Sequence, residues 1–520
     1  MFKLLVLLIC LLIPVPSYSQ LRLSASERRG KQIYLRGTSP SGREITALLN
    51  DLDVPASTVT CAGCHGMRGE GKTEGGVSAG NLTWLNLVKP YGHTHPTGRK
   101  HGPFNESSLT RAVVNGVDSD GNRLLVAMPR FKLSAEDMAD LIAYVKRLDS
   151  DLDPGLTDSS IRIGLLLPSA GALADVSAAM KDVFTAYFDD INSRGGIFSR
   201  KIELQFADAG TGGAAAATTA QSFAEKEQIF AFVGGMSAGA ETQIARLARD
   251  EEIPFIGPST LLPSADTPVN RYVFYLLPGV AEQAVSLVNF TATRSELQQS
   301  KLAVVYSDNA LASAAAAAAE QHAKKLGREV TVKQLFTSIN FDARRMVQEL
   351  KSKGVDALFF FGMGKEQASL LSEAAAVGWS PRLFLLGAFS GKDLPASSPA
   401  MKHKIFLAFP TLPADITQDG VNEFRALHEK YKFAPRHTAS QLAAFAAAKV
   451  FVEGLTRAGK DLSREKLITT LEGFYEYDTG ATPRISFGPN RRIGAAGAHV
   501  LPLELAATEF ATASGWIKAY

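Results

Sequence analysis

The chain has 520 residues, which is more than one hydrophobic core usually organises, so two or three domains are expected. Its composition, 46% hydrophobic and 21% charged, is that of a globular protein without the bias of a disordered chain. With 55 Lys and Arg against 52 Asp and Glu, the chain is close to neutral, and the totals argue against a nucleic-acid-binding protein.

Residues 1–19 have the pattern of a secretory signal peptide. Lys3 supplies the positive end, residues 4–13 supply the apolar stretch, and residues 17–19 form a small-x-small cleavage site. The apolar stretch is short for a bilayer span. A lipoprotein site at Cys10 is disfavoured because the bulky Ile9 precedes it. We therefore expect an exported, periplasmic protein whose mature chain begins near residue 20.

Residues 61–65 read Cys-Ala-Gly-Cys-His. Two cysteines at this spacing can bond the two vinyl groups of one haem, and the histidine that follows can ligate its iron. The alternatives are a thioredoxin-like pair, half of a zinc site or a disulfide, but zinc needs further ligands from a second cluster. The motif predicts one covalent haem c, attached through Cys61 and Cys64, with His65 as an axial iron ligand. Such haem is attached outside the cytoplasm, in agreement with the signal peptide.

Two helices are predicted around this motif. Ser26 is the expected cap of a helix that runs through Ile33 and Tyr34. Residues 134–137 open a second helix, which ends near Leu148 and has a single apolar face. The stretch between them, residues 66–125, is rich in glycine and weakly periodic.

On these features, residues 20–148 resemble a class I cytochrome c, an all-α domain. The resemblance implies that the two helices cross near the haem, with Gly30, Tyr34 and Tyr144 at the contact. It also implies that Met128, which precedes a proline, is the second axial ligand of the iron. Ligation by a thioether raises the reduction potential and suits electron transfer.

Three further histidines, His93, His95 and His101, lie in a loop of the same segment. Ligation of the iron by two histidines, a second metal site, and a merely solvated loop are the alternatives for them. Residues 149–160 are rich in turn formers and are predicted to be a linker.

From Ile161 onward, short apolar strands alternate with amphipathic helices, which predicts an α/β domain with parallel sheets covered on both faces. Because 161–520 exceeds the span of one sheet, two lobes are expected. The predicted strands are 161–167, 201–207, 229–233, 253–256, 302–306, 357–361 and 383–386. The predicted helices are 178–192, 238–249, 281–293 and 365–377.

Ligands of open parallel sheets bind beyond the carboxyl ends of the strands. Here those ends carry small and hydroxyl residues, at 168–171, 234–239 and 257–260. Backbone N–H groups exposed in this way can hold a carboxylate or another anion, although hydroxyl residues at such positions can also simply cap helices. The segment 234–239 lacks the Lys-Ser/Thr pair of a P-loop, so nucleotide hydrolysis is rejected.

The order of these pieces resembles the type I periplasmic binding proteins, and within them the branched-chain amino acid and amide substrate-binding proteins of ABC transporters. The resemblance covers 161–520 and implies two lobes that close on a small ligand, with crossovers near 275–285 and 405–415. By position it implies a ligand-binding role for five residues of the first lobe: Ser169, Ser237, Ala238, Ser259 and Thr260.

The second lobe departs from that family. Phe389 occupies the position where amino-acid binders carry an acid for the ligand's ammonium group, and the usual Tyr-Gly is missing at 307–311. A buried ammonium without a partner costs several kcal/mol. We therefore expect Phe389 to line the ligand site, and the ligand to be a carboxylate, an alcohol or an aromatic acid rather than a zwitterionic amino acid. Asp308 nearby argues against this expectation.

No nucleophile elbow or paired histidine indicates an enzyme. The sequence predicts an exported mono-haem cytochrome that transfers electrons to or from a periplasmic dehydrogenase or oxidase, fused to a small-ligand-binding domain. Two alternatives stay open at this point. One is a solute receptor for an ABC permease with an accessory haem module, and the other is a sensor in which ligand closure changes the haem.

Overall fold

In the computed structural model, residues 23–71, 73–74, 76–95, 97–237, 239–264, 268–390, 394, 399–503 and 515–520 are described. The predicted signal peptide and Cys10 lie outside these residues. The chain divides into two compact units, Met1–Pro154 and Gly155–Tyr520. Within the described ranges, no helix is long and apolar enough to cross a bilayer.

The first unit is helical, as predicted, and also contains short strands that the sequence did not indicate. The strand Thr46–Leu49 pairs antiparallel with Leu52–Pro55 on one side and with Arg130–Lys132 on the other, which makes a three-stranded sheet. Two further antiparallel pairs are hairpins: Thr73–Glu74 with Val77–Ser78, and His93–Thr94 with Lys100–His101. In chain order the elements are α1 (Ala25–Arg36), β1 (Thr46–Leu49), β2 (Leu52–Pro55), α2 (Cys61–His65), β3 (Thr73–Glu74), β4 (Val77–Ser78), α3 (Trp84–Leu87), β5 (His93–Thr94), β6 (Lys100–His101), α4 (Glu106–Asn115), β7 (Arg130–Lys132) and α5 (Ala135–Val145).

Helix α1 begins two residues earlier than predicted. Its cap is Ser24, whose hydroxyl accepts the N–H of Glu27 at 3.2 Å, while the Glu27 carboxylate accepts the N–H of Ser24 at 2.6 Å. This reciprocal pair satisfies two N–H groups at the helix start. Ser26, the predicted cap, lies in the first turn and donates instead to Asp140 at 2.5 Å. The capping prediction was wrong because Ser26 has a tertiary partner that is invisible in the local sequence.

Helices α1 and α5 cross in close contact at Gly30. A Cβ atom at Gly30 would lie 1.9 Å from the carbonyl oxygen of Asp140. Next to the crossing, the rings of Tyr34 and Tyr144 have centroids 5.7 Å apart, and both side chains are buried. The predicted helix crossing and its three contact residues are confirmed.

The second unit begins with a five-stranded parallel sheet. In chain order the elements are β8 (Ser160–Leu167), α6 (Ala174–Ser193), β9 (Lys201–Asp208), α7 (Gly213–Glu227), β10 (Ala231–Val233), α8 (Glu241–Asp250), β11 (Phe255–Ile256) and β12 (Val273–Phe274). The strand order is β12-β11-β10-β8-β9, and neighbouring strands pair in parallel.

The rest of the unit contains a seven-stranded sheet. In chain order the elements are α9 (Val280–Ala292), β13 (Leu302–Ser307), α10 (Ala310–Lys325), β14 (Val330–Phe336), α11 (Ala343–Ser352), β15 (Ala357–Phe361), α12 (Gly364–Ala376), β16 (Arg382–Leu386), β17 (Ile405–Phe409), α13 (Gln418–Tyr431), α14 (Thr438–Ala458), α15 (Arg464–Glu472), β18 (Gly497–Pro502) and β19 (Trp516–Lys518). The strand order is β14-β13-β15-β16-β17-β18-β19. Strand β18 pairs antiparallel with β17 and with β19, whereas the sequence predicted parallel strands alone.

The chain passes between the two sheets more than once. It leaves the first sheet after β12 and enters the second with α9. After β17 it returns, since α14 packs against α6, β10 and β11 of the first sheet. Before the chain enters β18, Ile493 forms an isolated parallel bridge with Tyr275, which follows β12. All predicted strands and helices of this unit are present, with ends shifted by at most four residues.

The crossing at Gly30 gives a stability prediction. Gly30→Ala should destabilise the first unit by about 1–3 kcal/mol, as overpacking does, although alanine favours helix by about 1 kcal/mol. Gly212→Ala is the control, because a Cβ there meets nothing within 4 Å and the backbone is extended, with φ −157°. Urea unfolding followed by circular dichroism measures both. A Gly30→Ala protein as stable as the parent would contradict the close crossing.

Candidate functional site

Helix α2 presents the two cysteines of the motif on one side. Its single turn begins at Thr60, whose hydroxyl accepts the N–H of Gly63 at 3.1 Å. Residues three apart on a helix are neighbours, so Cys61 and Cys64 lie on the same face. Both cysteines are free thiols and both line one cavity. Burial raises the pKa of the Cys61 thiol to about 12. The pair is therefore placed to reach two points on the edge of one flat ligand.

His65, the next residue, has a fixed ring orientation. Its Nδ1 lies 2.7 Å from the carbonyl oxygen of Gly80, which can only accept a hydrogen bond. Nδ1 must therefore carry the proton, and Nε2 carries the lone pair. Burial lowers the pKa of His65, which favours the neutral ring that a metal requires. A hydrogen bond from the second ring nitrogen to a backbone carbonyl is typical of metal-ligating histidines.

The loop after the motif is tied to helix α1. The hydroxyl of Tyr34, fully buried, donates to the carbonyl oxygen of Gly66 at 2.8 Å. Gly66 has φ +86°, in the left-handed region that glycine tolerates best. The orientation of the motif thus depends on the same helix that forms the close crossing.

These residues surround a cavity of about 390 Å³, within the size range of cofactor sites. Cys61, Cys64 and His65 line one part of it, and Met128 lines it too. The rest of the lining is mostly apolar and includes Leu87 of α3, Phe104, Leu109 of α4, and Met138, Leu141 and Ile142 of α5. Two thiols, one oriented imidazole and an apolar slot fit a covalently bound haem.

Met128 lies in a loop whose backbone is hydrogen-bonded by Arg130. The Arg130 guanidinium donates to the carbonyl oxygens of Met128, Leu124 (3.1 Å) and Leu125 (3.2 Å). A Cβ on Gly116 would lie 1.8 Å from Arg130 Nε, so the guanidinium is packed directly against that glycine. Arg130 therefore holds the backbone of the predicted ligand and of the segment before it.

The three remaining histidines of this unit lie together on the hairpin β5–β6. His93 is opposite His101 in the register, and His95 Nε2 is 3.1 Å from His101 Nε2. All three line the cavity, as does Arg99, which hydrogen-bonds to His95 at 2.7 Å. Among the described residues, no group of three His, Cys, Asp or Glu side chains is arranged to hold a metal ion.

In the second unit, the residues predicted to hold a ligand lie at the carboxyl ends of the strands. Ser169 follows β8 and is held by Asp208 at the end of β9, which accepts its N–H at 2.9 Å and its hydroxyl. Ser259 follows β11, and its N–H donates to the carbonyl oxygen of Gly235 at 2.9 Å. Ala238 lies outside the described residues. Whether these residues bind a ligand stays a prediction.

Ser237 and Thr260 face one small cavity of about 10 Å³, about the size of one water molecule. Glu241, in the first turn of α8, lines it as well, and the Thr260 hydroxyl donates to its carboxylate at 3.4 Å. The loops of the first sheet thus already place a carboxylate beside Thr260.

On the second sheet, Phe389 is only 4% exposed and packs among the core residues around α9 and β16. Ser307 and Asn309 hydrogen-bond to each other at 2.7 Å, and the Asn309 side chain caps α10. Asp308 between them is exposed. The ligand contact predicted for Phe389 stays a prediction.

Comparison with known proteins defines the class of both units. The chain belongs to the periplasmic binding protein family, whose sequence profile matches residues 160–503. The profile of the cytochrome c family matches residues 55–149, so the first unit contains a cytochrome c domain. Members of that family carry covalently bound haem c.

Individual relatives are similar to the second unit. The Leu/Ile/Val-binding protein homolog 8 of Brucella abortus is 23% identical over 353 residues, covering 64% of this chain and 86% of the relative. A branched-chain amino acid ABC transporter protein from Thermus thermophilus with bound valine has a TM-score of 0.52 and 20% identity, covering 67% and 94%. A fatty acid ABC transporter substrate-binding protein from Thermomonospora curvata has a TM-score of 0.50 and 20% identity, covering 67% and 90%. The solved structures bear on the fold alone.

Sequence reasoning missed Gly80, Arg130 and Arg99. Gly80 acts through its backbone carbonyl, which no side-chain pattern can indicate. Arg130 had one local signal, a basic residue two positions after the predicted methionine ligand, but nothing in the sequence shows that it folds back onto three carbonyls.

Arg130 gives a prediction for the haem-loaded protein. Arg130→Leu should free the carbonyls around Met128, loosen the loop and weaken the faint far-red ferric band that marks methionine ligation in class I cytochromes. Lys132→Leu is the matched control on the same strand, since its ion pair with Asp53 is exposed and worth little. The intensity of this band is measured in absorption spectra of the two variants and the parent protein in the ferric state. An unchanged band in Arg130→Leu would mean that Arg130 does not hold the ligand loop.

Proposed function

We propose that this protein is an exported mono-haem c-type cytochrome that transfers electrons and also carries a domain that binds a small ligand. The observation that carries the first half is the arrangement of Cys61, Cys64 and His65 around one apolar cavity, with the Gly80 carbonyl fixing the imidazole. One CxxCH motif supports one haem. The proposed boundaries are a signal peptide at 1–19, a cytochrome domain at 20–148, a linker at 149–160 and a binding domain at 161–520.

The residues of the first unit have separate tasks in this proposal. A haem held here supplies one-electron chemistry. Cys61 and Cys64 would tether it by thioether bonds, and the lone pair of His65 Nε2 and the thioether of Met128 would ligate its iron. The apolar lining keeps water from the cavity, which limits reorganisation when charge changes and suits electron transfer. The proposed partner is a periplasmic dehydrogenase or oxidase.

The second half of the proposal concerns the ligand. The binding domain is proposed to hold a small molecule at the loops with Ser169, Ser237, Ala238, Ser259 and Thr260, and with Phe389 on the other sheet. A ligand carboxylate at Thr260 would meet the Glu241 carboxylate, and like charges repel. This contact disfavours a ligand carboxylate at Thr260, and among the three ligand types expected from sequence it favours an alcohol.

A second candidate function is a solute receptor that delivers its ligand to an ABC permease. The relatives named as Leu/Ile/Val-binding homologs support it. In that case the binding domain has the same affinity for its ligand whether the haem is oxidised or reduced. A third, a redox-gated sensor, requires the haem midpoint potential to shift when ligand saturates the binding domain.

Removal of the thiols tests the haem assignment. Expressed with a haem-maturation system, the double variant Cys61→Ala/Cys64→Ala should lose all covalent haem, because no thiol remains to add to the vinyl groups. Haem staining after denaturing electrophoresis measures this directly.

Met128→Ala should keep covalent haem and lose the far-red ferric band. A band that survives this change, or is absent from the parent protein, would remove Met128 as ligand.

Four compounds with branched carbon skeletons test the ligand class. Valine is the zwitterion, isovalerate keeps only a carboxylate, isobutylamine keeps only an ammonium, and isobutanol has neither charge. A ligand at 100 times its Kd adds about 2.7 kcal/mol to the free energy of unfolding, so binding is visible as a rise in Tm. We expect no stabilisation by valine. Stabilisation by valine would show that the ligand class is wrong, while leaving the haem assignment untouched.

A further inference from the structure

The wall of the cavity in the first unit carries positive charge that no acidic side chain in the cavity balances. Arg99 and Arg123 are its cationic side chains, and within the described part of the chain no Asp or Glu lines it. His95, which pairs with Arg99 across the hairpin β5–β6, lines the cavity as well. An apolar cavity has use for such groups only if the molecule that fills it has an anionic part.

Arg99 is held in place by partners on two sides. Its Nη1 donates to the buried carboxylate of Asp118 at 2.5 Å, and its Nη2 donates to His95 Nε2 at 2.7 Å. The guanidinium keeps further N–H groups that neither partner takes. Its orientation is therefore fixed before a ligand arrives, which lowers the entropy lost on binding.

Asp118 stays charged beneath Arg99. Its carboxylate also accepts the backbone N–H groups of Asp120 at 3.0 Å and of Asn122 at 2.8 Å. Burial acts to raise the pKa of Asp118, but the hydrogen bonds from Asn122 and Arg99 outweigh it, and the pKa is lowered. Asp118 does not line the cavity, so it anchors Arg99 from behind and leaves the cavity side of the guanidinium open.

His95 presents a hydrogen-bond donor beside Arg99. Because a guanidinium can only donate, His95 Nε2 is an acceptor. Burial, with the neighbouring charge of Arg99, lowers the pKa of His95 to about 4, so the ring is neutral near pH 7. Its one N–H is then at Nδ1, which has no acceptor among the described residues.

Arg123 lies next to the same hairpin and is unpaired. The side-chain amide of the preceding residue, Asn122, donates to the carbonyl oxygen of Lys100 at 2.9 Å. The Arg123 guanidinium itself has no hydrogen-bond or ion-pair partner among the residues that the structure describes. Four other charged side chains lie around the hairpin without lining the cavity: Lys89, Lys100, Arg111 and Asp120.

We propose that Arg99 and Arg123, with the Nδ1–H of His95, bind the two carboxylate groups of the haem. This rests on the proposed haem function and gives the hairpin a task in it. The thioether bonds to Cys61 and Cys64 use the vinyl groups of the macrocycle, whose two carboxylates project from the opposite edge. A carboxylate removed from water needs a partner, and charge-assisted hydrogen bonds from a guanidinium are among the strongest available.

Carbon-13 NMR of the haem carboxylates in the covalent holoprotein tests this directly. Growth on 5-aminolevulinate labelled at its carboxyl carbon labels the two haem carboxylates, and the ferrous, diamagnetic protein should show one resonance for each. An adjacent positive charge favours the ionised form of a carboxyl and lowers its pKa. In the parent protein we therefore expect neither resonance to titrate between about pH 4 and 8, where an unpaired carboxyl begins to bind a proton at the acid end.

Removal of either arginine should make a carboxylate titrate within this range. Arg99→Gln and Arg123→Gln should each increase the proton affinity of at least one haem carboxylate about tenfold or more, so that its resonance shows an inflection. Arg99→Lys keeps the charge and should increase the affinity less than Arg99→Gln. Lys100→Gln is the matched control, because it removes one positive charge from the next residue of the hairpin, outside the cavity, and should leave both resonances unchanged.

Two outcomes would overturn the proposal. One is a parent protein in which both carboxylates titrate as an unpaired carboxyl does, a result that needs no variant and that misfolding cannot mimic. The other is a pair of variants, Arg99→Gln and Arg123→Gln, whose resonances titrate as in the parent, which would place the carboxylates elsewhere. A protein without covalent haem gives no labelled resonance at all, and that result contradicts the proposed function instead.

Discussion

The close approach of helices α1 and α5 at Gly30 governs the first unit. Because no side chain separates the helices there, α5 can bring Met138, Leu141 and Ile142 to the cavity wall while α1 places Tyr34 over the motif loop. A wider crossing would open the apolar slot and release the Gly66 carbonyl from Tyr34. The chemistry of a five-residue motif therefore depends on a packing contact more than thirty residues before it and more than seventy after it.

Around this crossing, the unit fixes its polar groups through the backbone. The imidazole of His65 is oriented by a hydrogen bond to a backbone carbonyl, and Arg130 donates hydrogen bonds to three backbone carbonyls at and before Met128. Backbone partners do not rotate away as side chains can, so the two proposed iron ligands approach the cavity from rigid supports.

Local patterns in the sequence predicted the parts of the molecule that local chemistry decides. The motif at 61–65, the cap at Ser134 and the alternating strands and helices after Ile161 are all readable over short windows, and the structure contains them. What failed depended on partners distant in sequence. Ser26 was taken for a cap because its bond to Asp140 spans 114 positions. The small sheet β2-β1-β7 joins residues near 50 to residues near 131, and its strands are too short to show a period.

The outer edge of the seven-stranded sheet is closed by the last residues described. Strand β19 pairs along β18, and its carbonyls accept hydrogen bonds from Ser286 (3.0 Å) and Asn289 (2.8 Å) of α9. Strand β18 is almost wholly buried, and without β19 it would present a row of unpaired backbone groups on an apolar ribbon, the kind of surface that recruits strands from other molecules. The three-residue β19, ending at the exposed Lys518, is too short and too charged to serve as such a template itself. Proteolytic removal of these few residues would thus leave an open sheet edge that is prone to intermolecular strand addition and aggregation.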